Sequence, residues 1–195
     1  MITNHMIDKQ ALAQDLYSLA PVGALPKGGV TRLAFSPEEA ELHQRVSHWL
    51  TDLGAKVKKD AIGNLIARWP GQDNSLPAVA CGSHLDSVPQ GGNYDGVAGV
   101  LAAVAAIRAI RDHGLLTRHP LEVIVFVSEE SSRFKMATLG SSVMAGLDNP
   151  NHWLNLTDAH GVSLREAAVK NGAQLAEIES AQRRPEEFKA FLELH

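Results

Sequence analysis

The chain has 195 residues, of which 45% are apolar and 21% are charged, and its formal net charge is −4. These values are typical of one globular domain with a sizeable core. Because the chain has no basic block or basic stripe, nucleic acid is not an expected partner. Its longest apolar runs have the length of strands, so no membrane span and no membrane partner are predicted.

Two features bear on the cellular compartment. Residues 1–5 lack the charged and then apolar pattern of a secretory signal. The single cysteine, Cys81, permits no internal disulfide, which is typical of a reducing compartment. The sequence therefore predicts a cytoplasmic location.

The first part of the chain predicts two helices. Apolar residues recur at helical spacing over residues 6–20 and again over 37–53. The second helix has a strong start signal, with Ser36 as the N-cap, Pro37 in the first turn and Glu39 placed to close a capping box.

The middle of the chain predicts most of a sheet. Residues 56–60 and 65–69 have the pattern of two strands joined by a hairpin-type turn. Two nearly unbroken apolar strands, 77–84 and 121–127, then flank a long apolar helix over 96–113. This pattern is typical of a βαβ unit in a parallel sheet that is covered on both faces. The predicted fold class is therefore α/β, with a mostly parallel sheet and helices on both faces.

The last part predicts shorter elements. These are a short helix over 140–147, a helix over 164–170 after the capping box Ser163 to Glu166, a further helix from Gly172, and a strand over 188–194.

Chemically active side chains gather at the ends of the predicted strands. His84, Glu129, Glu130 and His195 each stand at the carboxyl end of a strand, and Asp95 stands in the loop before the long helix. In open α/β sheets, ligands bind beyond the carboxyl ends of the strands. Imidazoles and carboxylates gathered there predict a hydrolytic metal centre.

The spacing within this set suggests how such a centre would work. Asp86 lies two residues beyond His84, so it can accept the second ring N–H of that histidine and fix its orientation. A carboxylate such as Asp95 can bridge two cations, which typically lie roughly 3.5–4 Å apart in hydrolytic sites. Of Glu129 and Glu130, one can bind metal while the other takes a proton from water.

Other interpretations exist for each motif taken alone. A Glu-Glu pair is often only a solvated helix end, and the Gly91-Gly92 loop before a helix could hold a phosphate. The two aspartates, Asp86 and Asp95, would repel such an anion. The remaining histidines have no carboxylate at ligand spacing and are expected at the surface or in the core; they are His5, His43, His48, His113, His119, His152 and His160.

Taken together, these motifs resemble the amidohydrolase family of N-carbamoyl-L-amino acid hydrolases, hydantoinase/carbamoylases and allantoate amidohydrolases, relatives of the zinc aminoacylases and carboxypeptidases. The segments that carry the resemblance are Gly28-Gly29-Val30-Thr31-Arg32-Leu33, Asp60-Ala61-Ile62-Gly63-Asn64-Leu65, residues 82–96, Glu129-Glu130 with Arg133-Phe134, Leu139-Gly140-Ser141 and Leu194-His195.

The resemblance implies a zinc-exopeptidase-like catalytic domain with two divalent metal ions. It implies that His84 binds the first ion, that Asp95 bridges both, and that Glu130 and His195 bind the second. Zinc is the first expectation for both ions, and manganese, cobalt and nickel are alternatives.

The same resemblance implies the remaining roles. Glu129 would be the general base or acid, and Asp86 would orient His84. The reaction would be hydrolysis of the carbamoyl or ureido C–N bond in a small substrate, an N-carbamoyl-L-amino acid or a related ureido compound.

The chain departs from the family pattern in two ways. Ser131 stands where a glycine is usual, and members of the family are roughly twice as long. Residues 1–195 are therefore expected to form the N-terminal part of the catalytic domain, incomplete at the C-terminus, with the dimerisation domain and the C-terminal catalytic segment absent. The full-length protein is expected to be a homodimer.

Three alternatives stay open. The chain could be a truncated, catalytically incompetent fragment or a partner-dependent subunit. It could belong to an allantoate amidohydrolase, or to an aminoacylase or peptidase of the same superfamily.

Overall fold

The structure is a computed structural model that describes residues 6–147 and 150–195. The prediction made from residues 1–5, that they carry no secretory signal, lies outside the described residues. None of the helices within residues 6–147 and 150–195 combines the length and the hydropathy that a membrane span requires.

The helices largely follow their sequence signals. They are α1 (Lys9–Leu19), α2 (Pro37–Asp52), α3 (Val97–Asp112), α4 (Leu139–Ala145), α5 (Pro150–Trp153) and α6 (Leu164–Lys170). The capping box before α6 is confirmed, because Ser163 and Glu166 each bind the backbone N–H of the other. The further helix predicted from Gly172 is a 3-10 segment, Leu175–Ala181, kinked at Glu177.

The capping box predicted before α2 is wrong. Ser36 does cap the helix, since its hydroxyl accepts the Glu39 N–H at 3.3 Å. Its own N–H, however, donates to the Leu33 carbonyl, so the Glu39 side chain is not needed there. That carboxylate binds the backbone N–H groups of Phe35 and Ser128 instead.

Five strands form one mixed sheet. They are β1 (Lys56–Lys59), β2 (Leu65–Trp69), β3 (Ala78–His84), β4 (Leu121–Phe126) and β5 (Phe188–Leu192). Their order across the sheet is β1-β2-β4-β3-β5. The pairs β1–β2 and β2–β4 are antiparallel, whereas β3 pairs in parallel with both β4 and β5.

Apolar side chains from the strands pack on both faces of the sheet. Leu65, Val123 and Val125 contribute to the cluster beneath α1, α2 and α3. On the opposite face, Ile124 and Phe126 contribute to a cluster that includes Met144 of α4. The α/β class with helices on both faces is confirmed, and the parallel pairings place the carboxyl ends of β3, β4 and β5 at one edge.

Asn64 ties the hairpin turn to the end of β4. Its side-chain amide donates to Asp60 Oδ2 at 2.8 Å and to the Gly140 carbonyl at 2.9 Å. The side-chain oxygen of Asn64, Oδ1, accepts the Val127 N–H at 3.0 Å. The predicted turn residue therefore also fixes the point at which the chain leaves β4.

Candidate metal centre

The predicted site residues are delivered by the three parallel strands. His84 is the last residue of β3, Glu129 and Glu130 follow the end of β4, and His195 follows β5. His84 stands opposite Phe126 in the parallel β3–β4 register, so the two strands end side by side. The common edge of the sheet brings these side chains close together.

Three of them form a compact donor group. His84 Nε2 lies 3.2 Å from His195 Nε2 and 3.7 Å from a carboxylate oxygen of Glu129. One ligand atom from each of the three residues lies within 4.8 Å of the other two. Among the described residues, this is the group of three or more histidine, cysteine or acidic side chains that could hold a metal ion.

Asp95 and Glu130 flank this group. An oxygen of Asp95 lies 3.4 Å from His195 Nε2, so Asp95 contacts the group through that histidine. Glu130 is half-buried, and this burial raises the pKa of its carboxyl. The charges of Glu129, Asp95 and Asp86 also raise that pKa, whereas the charge of His84 lowers it. The compact group thus contains Glu129, whereas the resemblance assigns metal binding to Glu130.

Asp86 is fully buried and contacts both neighbouring segments. Its Oδ1 lies 3.4 Å from His84 Nδ1, and the Asp86 backbone oxygen lies 3.0 Å from the same ring nitrogen. Its carboxylate also accepts the N–H of Glu129 at 3.2 Å and the N–H of Glu130 at 2.9 Å. One side chain therefore positions the imidazole of β3 and the acidic pair that follows β4.

The electrostatics of His84 reflect this environment. Burial acts to lower the pKa of its imidazole, but the hydrogen bond and charge of Asp86 and the charge of Glu129 raise it to about 9. With Nδ1 directed at Asp86, Nε2 remains for the centre. Because a ligating imidazole is neutral, binding of a cation there releases a proton.

Gly96 lets the next helix approach this imidazole. It is the N-cap of α3 and has a φ of 65°, in the left-handed region. A Cβ at this position would lie 2.6 Å from each of three His84 ring atoms, Cε1, Nδ1 and Nε2. Only a residue without a side chain therefore fits between α3 and His84.

Arg32 also supports the site, although the sequence suggested it only as part of a family segment. Its buried guanidinium donates to the carbonyls of Val22 and Leu19 and to Asn93 Oδ1 at 3.0 Å. Asn93 belongs to the loop that ends at Asp95. No periodic pattern marks such a contact, because the partners lie 61 positions apart.

The donor set fits a divalent transition metal. Zinc binds imidazole nitrogens and carboxylate oxygens at about 2.0–2.2 Å, so donors of one ion lie a few ångströms apart. Two imidazoles with one carboxylate oxygen within 4.8 Å match that geometry. The contact of His84 Nδ1 with Asp86 is the arrangement that fixes the tautomer of a ligating histidine.

The chain is similar to known proteins. The chain is 43% identical over 190 residues to an N-carbamoyl-L-amino acid amidohydrolase of Geobacillus stearothermophilus, a match that covers 97% of the chain and 46% of the relative. It is 37% identical over 187 residues to an allantoate amidohydrolase of Escherichia coli (strain K12), with 96% and 45% covered. The chain thus spans about half the length of the curated relatives that it matches.

A solved structure gives the same result for the fold. A hydantoinase/carbamoylase family amidase from Burkholderia ambifaria superimposes with a TM-score of 0.89 at 37% identity, over 97% of this chain and 45% of that chain. Residues 80–195, which contain His84, Glu129 and His195, match the pattern of peptidase family M20/M25/M40, a metal-dependent family. The chain belongs to peptidase family M20/M25/M40.

Proposed function

We propose that this chain carries the metal centre of an amidohydrolase that cleaves the carbamoyl or ureido C–N bond of N-carbamoyl-L-amino acids or related ureido compounds. The observation that carries the proposal is the meeting of His84, Glu129 and His195 at the carboxyl edge of the sheet. The names of the relatives, N-carbamoyl-L-amino acid amidohydrolase and allantoate amidohydrolase, support the substrate class.

The proposed centre holds two divalent cations. His84 would hold the first, Asp95 would bridge both, and Glu130 and His195 would hold the second. When bound, such cations lower the pKa of water and polarise the substrate carbonyl. Zinc suits the donors, and manganese, cobalt or nickel are alternatives, because availability as well as affinity decides occupancy.

The side chains around the centre have separate tasks in this proposal. Glu129 lies beside the donor atoms, 3.7 Å from His84 Nε2, where it can take a proton from water and later give it to the leaving nitrogen. Asp86 keeps the imidazole of His84 in one orientation. Four carboxylates, those of Asp86, Asp95, Glu129 and Glu130, surround two imidazoles, and cations would balance this excess of negative charge.

Removal and return of metal test the proposal. We expect dialysis against a chelator to abolish hydrolysis of N-carbamoyl amino acids by the complete protein, and zinc or manganese to restore it. Metal analysis of the active protein should then give two ions per chain. Undiminished turnover by metal-free protein would refute the proposed centre.

The rival substrates are distinguished by the same assay. We propose N-carbamoyl-L-amino acids as the preferred substrates. Allantoate is the second candidate, and N-acyl amino acids or peptides are the third. Arg133 does not distinguish these substrates by its contacts, because its guanidinium pairs with Asp158, donates to the Ala34 carbonyl and packs over Phe134. Relative kcat/KM on an N-carbamoyl amino acid, allantoate and an N-acetyl amino acid decides among the three.

We further propose that residues 1–195 are the N-terminal part of a catalytic domain in a cytoplasmic homodimer. The exposed side of β5 supports this domain assignment. Within the described sheet β5 pairs only with β3, and Phe191, Leu192 and Leu194 are 41%, 58% and 59% exposed. Clefts of about 510 and 420 Å³ flank the strand on its two faces. Apolar surface of this kind usually belongs to an interface.

The domain proposal predicts a difference between two lengths of protein. We expect the isolated 195-residue chain to show no turnover of N-carbamoyl amino acids, whereas a longer product that adds the dimerisation domain and the C-terminal catalytic segment is active. Full turnover by the isolated chain would contradict the proposal, and so would a monomeric active product in size-exclusion chromatography with light scattering.

A further inference from the structure

A second group of buried polar side chains lies behind the segment that carries Glu129 and Glu130. It comprises Glu39 and His43 of α2, which are 2% and 3% exposed, and Ser128, which is fully buried. Both ring nitrogens of His43 and the hydroxyl of Ser128 have no hydrogen-bond partner among the described residues. Burying such groups is costly, so their concentration at one place calls for a reason.

Glu39 binds the backbone at the end of β4. One carboxylate oxygen accepts the Ser128 N–H at 3.3 Å, and the other accepts the N–H of Phe35. Ser128 has a φ of 51°, in the left-handed region, and is the residue at which the chain turns out of the sheet. Glu39 therefore binds the backbone where the direction of the following acidic pair is set.

Glu39 and Asp86 hold three successive amides between them. Glu39 accepts the N–H of Ser128, and Asp86 accepts the next two, those of Glu129 and Glu130. The two carboxylates belong to different elements, α2 and the segment after β3. A rotation of any of these three peptide groups would break a hydrogen bond to a buried carboxylate and leave that carboxylate without one of its partners.

No cation neutralises Glu39 by direct contact in the described part of the chain. Burial, and secondly the charge of Asp86, raise the pKa of the Glu39 carboxyl to about 8. The backbone N–H groups of Phe35 and Ser128 and the charge of Lys59 act to lower that pKa, but they are outweighed. His43 Nε2 lies 3.9 Å away, but burial, together with Lys59, lowers the pKa of that imidazole to about 4 and keeps it neutral. A well-packed apolar side chain would serve stability at least as well as such a group.

We propose that Glu39 is a positioning residue of the metal centre. Together with Asp86 it fixes residues 128–130, so that the carboxylate of Glu129 stands beside His84 and His195. This inference rests on the metal centre proposed above. It adds a residue from α2 that lies 89 positions away from the amide that it holds.

The substitution Glu39→Gln tests the inference. Glutamine has one accepting oxygen, whereas both carboxylate oxygens of Glu39 accept an N–H, so its NH₂ group must face either Phe35 or Ser128. We expect the metal-free complete protein with this substitution to bind cobalt(II) about 10–100-fold more weakly than the unsubstituted protein does. This range is typical when a residue that supports metal ligands is lost. We also expect the visible absorption of bound cobalt to change, because the ligand geometry changes.

The matched control is Glu41→Gln on the same helix, where the carboxylate is exposed and pairs with Arg45. It should bind cobalt like the unsubstituted protein. If Glu39→Gln fails to fold by circular dichroism, Glu39→Asp keeps the carboxyl group but withdraws it from Ser128, and the same loss of affinity is expected.

The outcomes separate the two proposals. If the unsubstituted protein binds no cobalt, the metal centre is refuted and the role of Glu39 falls with it. If the unsubstituted protein binds cobalt and the folded Glu39 variant matches it in affinity and in absorption, the metal centre stands and the positioning role is refuted. Equal losses in the Glu39 and Glu41 variants would also refute that role.

Discussion

Replacement of Glu129 by glutamine is expected to lower kcat of the complete protein about 10²–10⁴-fold, the usual contribution of a general acid or base. Glutamine keeps the shape of the side chain but cannot take a proton from water. The N–H of residue 129 would still donate to Asp86, so the local backbone should persist. Steady-state kinetics on an N-carbamoyl amino acid, together with metal analysis of the same sample, measures both consequences.

The metal content decides which task Glu129 performs. If it is the general base, the glutamine variant keeps its metal and loses only turnover, whereas Glu130→Gln loses metal as well. A Glu129 variant that no longer retains metal would instead identify Glu129 as a ligand, in line with its place in the compact donor group. Glu186→Gln, an exposed substitution in the segment before β5, serves as the control and should change neither quantity.

Replacement of Gly96 by alanine is expected to destabilise the protein and to weaken metal binding. With φ 65° and ψ −49°, Gly96 is the central residue of a γ-turn of a kind that is strained for a residue with a Cβ, and overpacking adds typically about 1–3 kcal/mol. The new methyl group would lie 2.6 Å from the His84 ring, so the ring must move away from its place beside His195. Urea unfolding and cobalt titration measure the two effects.

Two other glycines separate the contributions. Gly114 also has a positive φ, 60°, but no atom lies within 4 Å of an added Cβ, so Gly114→Ala places a side chain on a positive-φ backbone without a clash. Gly92 lies in the same loop as Asp95, has open space around it and has no left-handed φ, so Gly92→Ala should be nearly neutral. If the alanine variants at 96 and 114 lose the same stability and bind metal equally well, Gly96 does not act through His84.

Most of the fold could be predicted from local sequence patterns. Patterns among residues close in sequence mark helix α3, the strands β3 and β4 that precede and follow it along the chain, and the capping box before α6. The antiparallel pairing of β2 with β4 depends on contacts between strands far apart along the chain. No periodicity in either strand specifies that neighbour.

The metal centre was partly predictable for a geometrical reason. The carboxyl ends of parallel strands share one edge, so residues such as His84, Glu129 and His195 meet once their strands are recognised. The contact from Asp86 to the amide of Glu130 spans 44 positions, and nothing at Asp86 signals it. Glu39 shows the limit most clearly, because its spacing from Ser36 matches a capping box while its carboxylate serves Ser128.

The position of His195 has a thermodynamic consequence. This histidine follows β5, which within the described residues pairs with the sheet through β3 alone. Binding of an ion at His195 and pairing of β5 with β3 are therefore coupled equilibria. An ion bound to His195 should stabilise the paired strand, and separation of the strand should weaken ion binding by the same free energy.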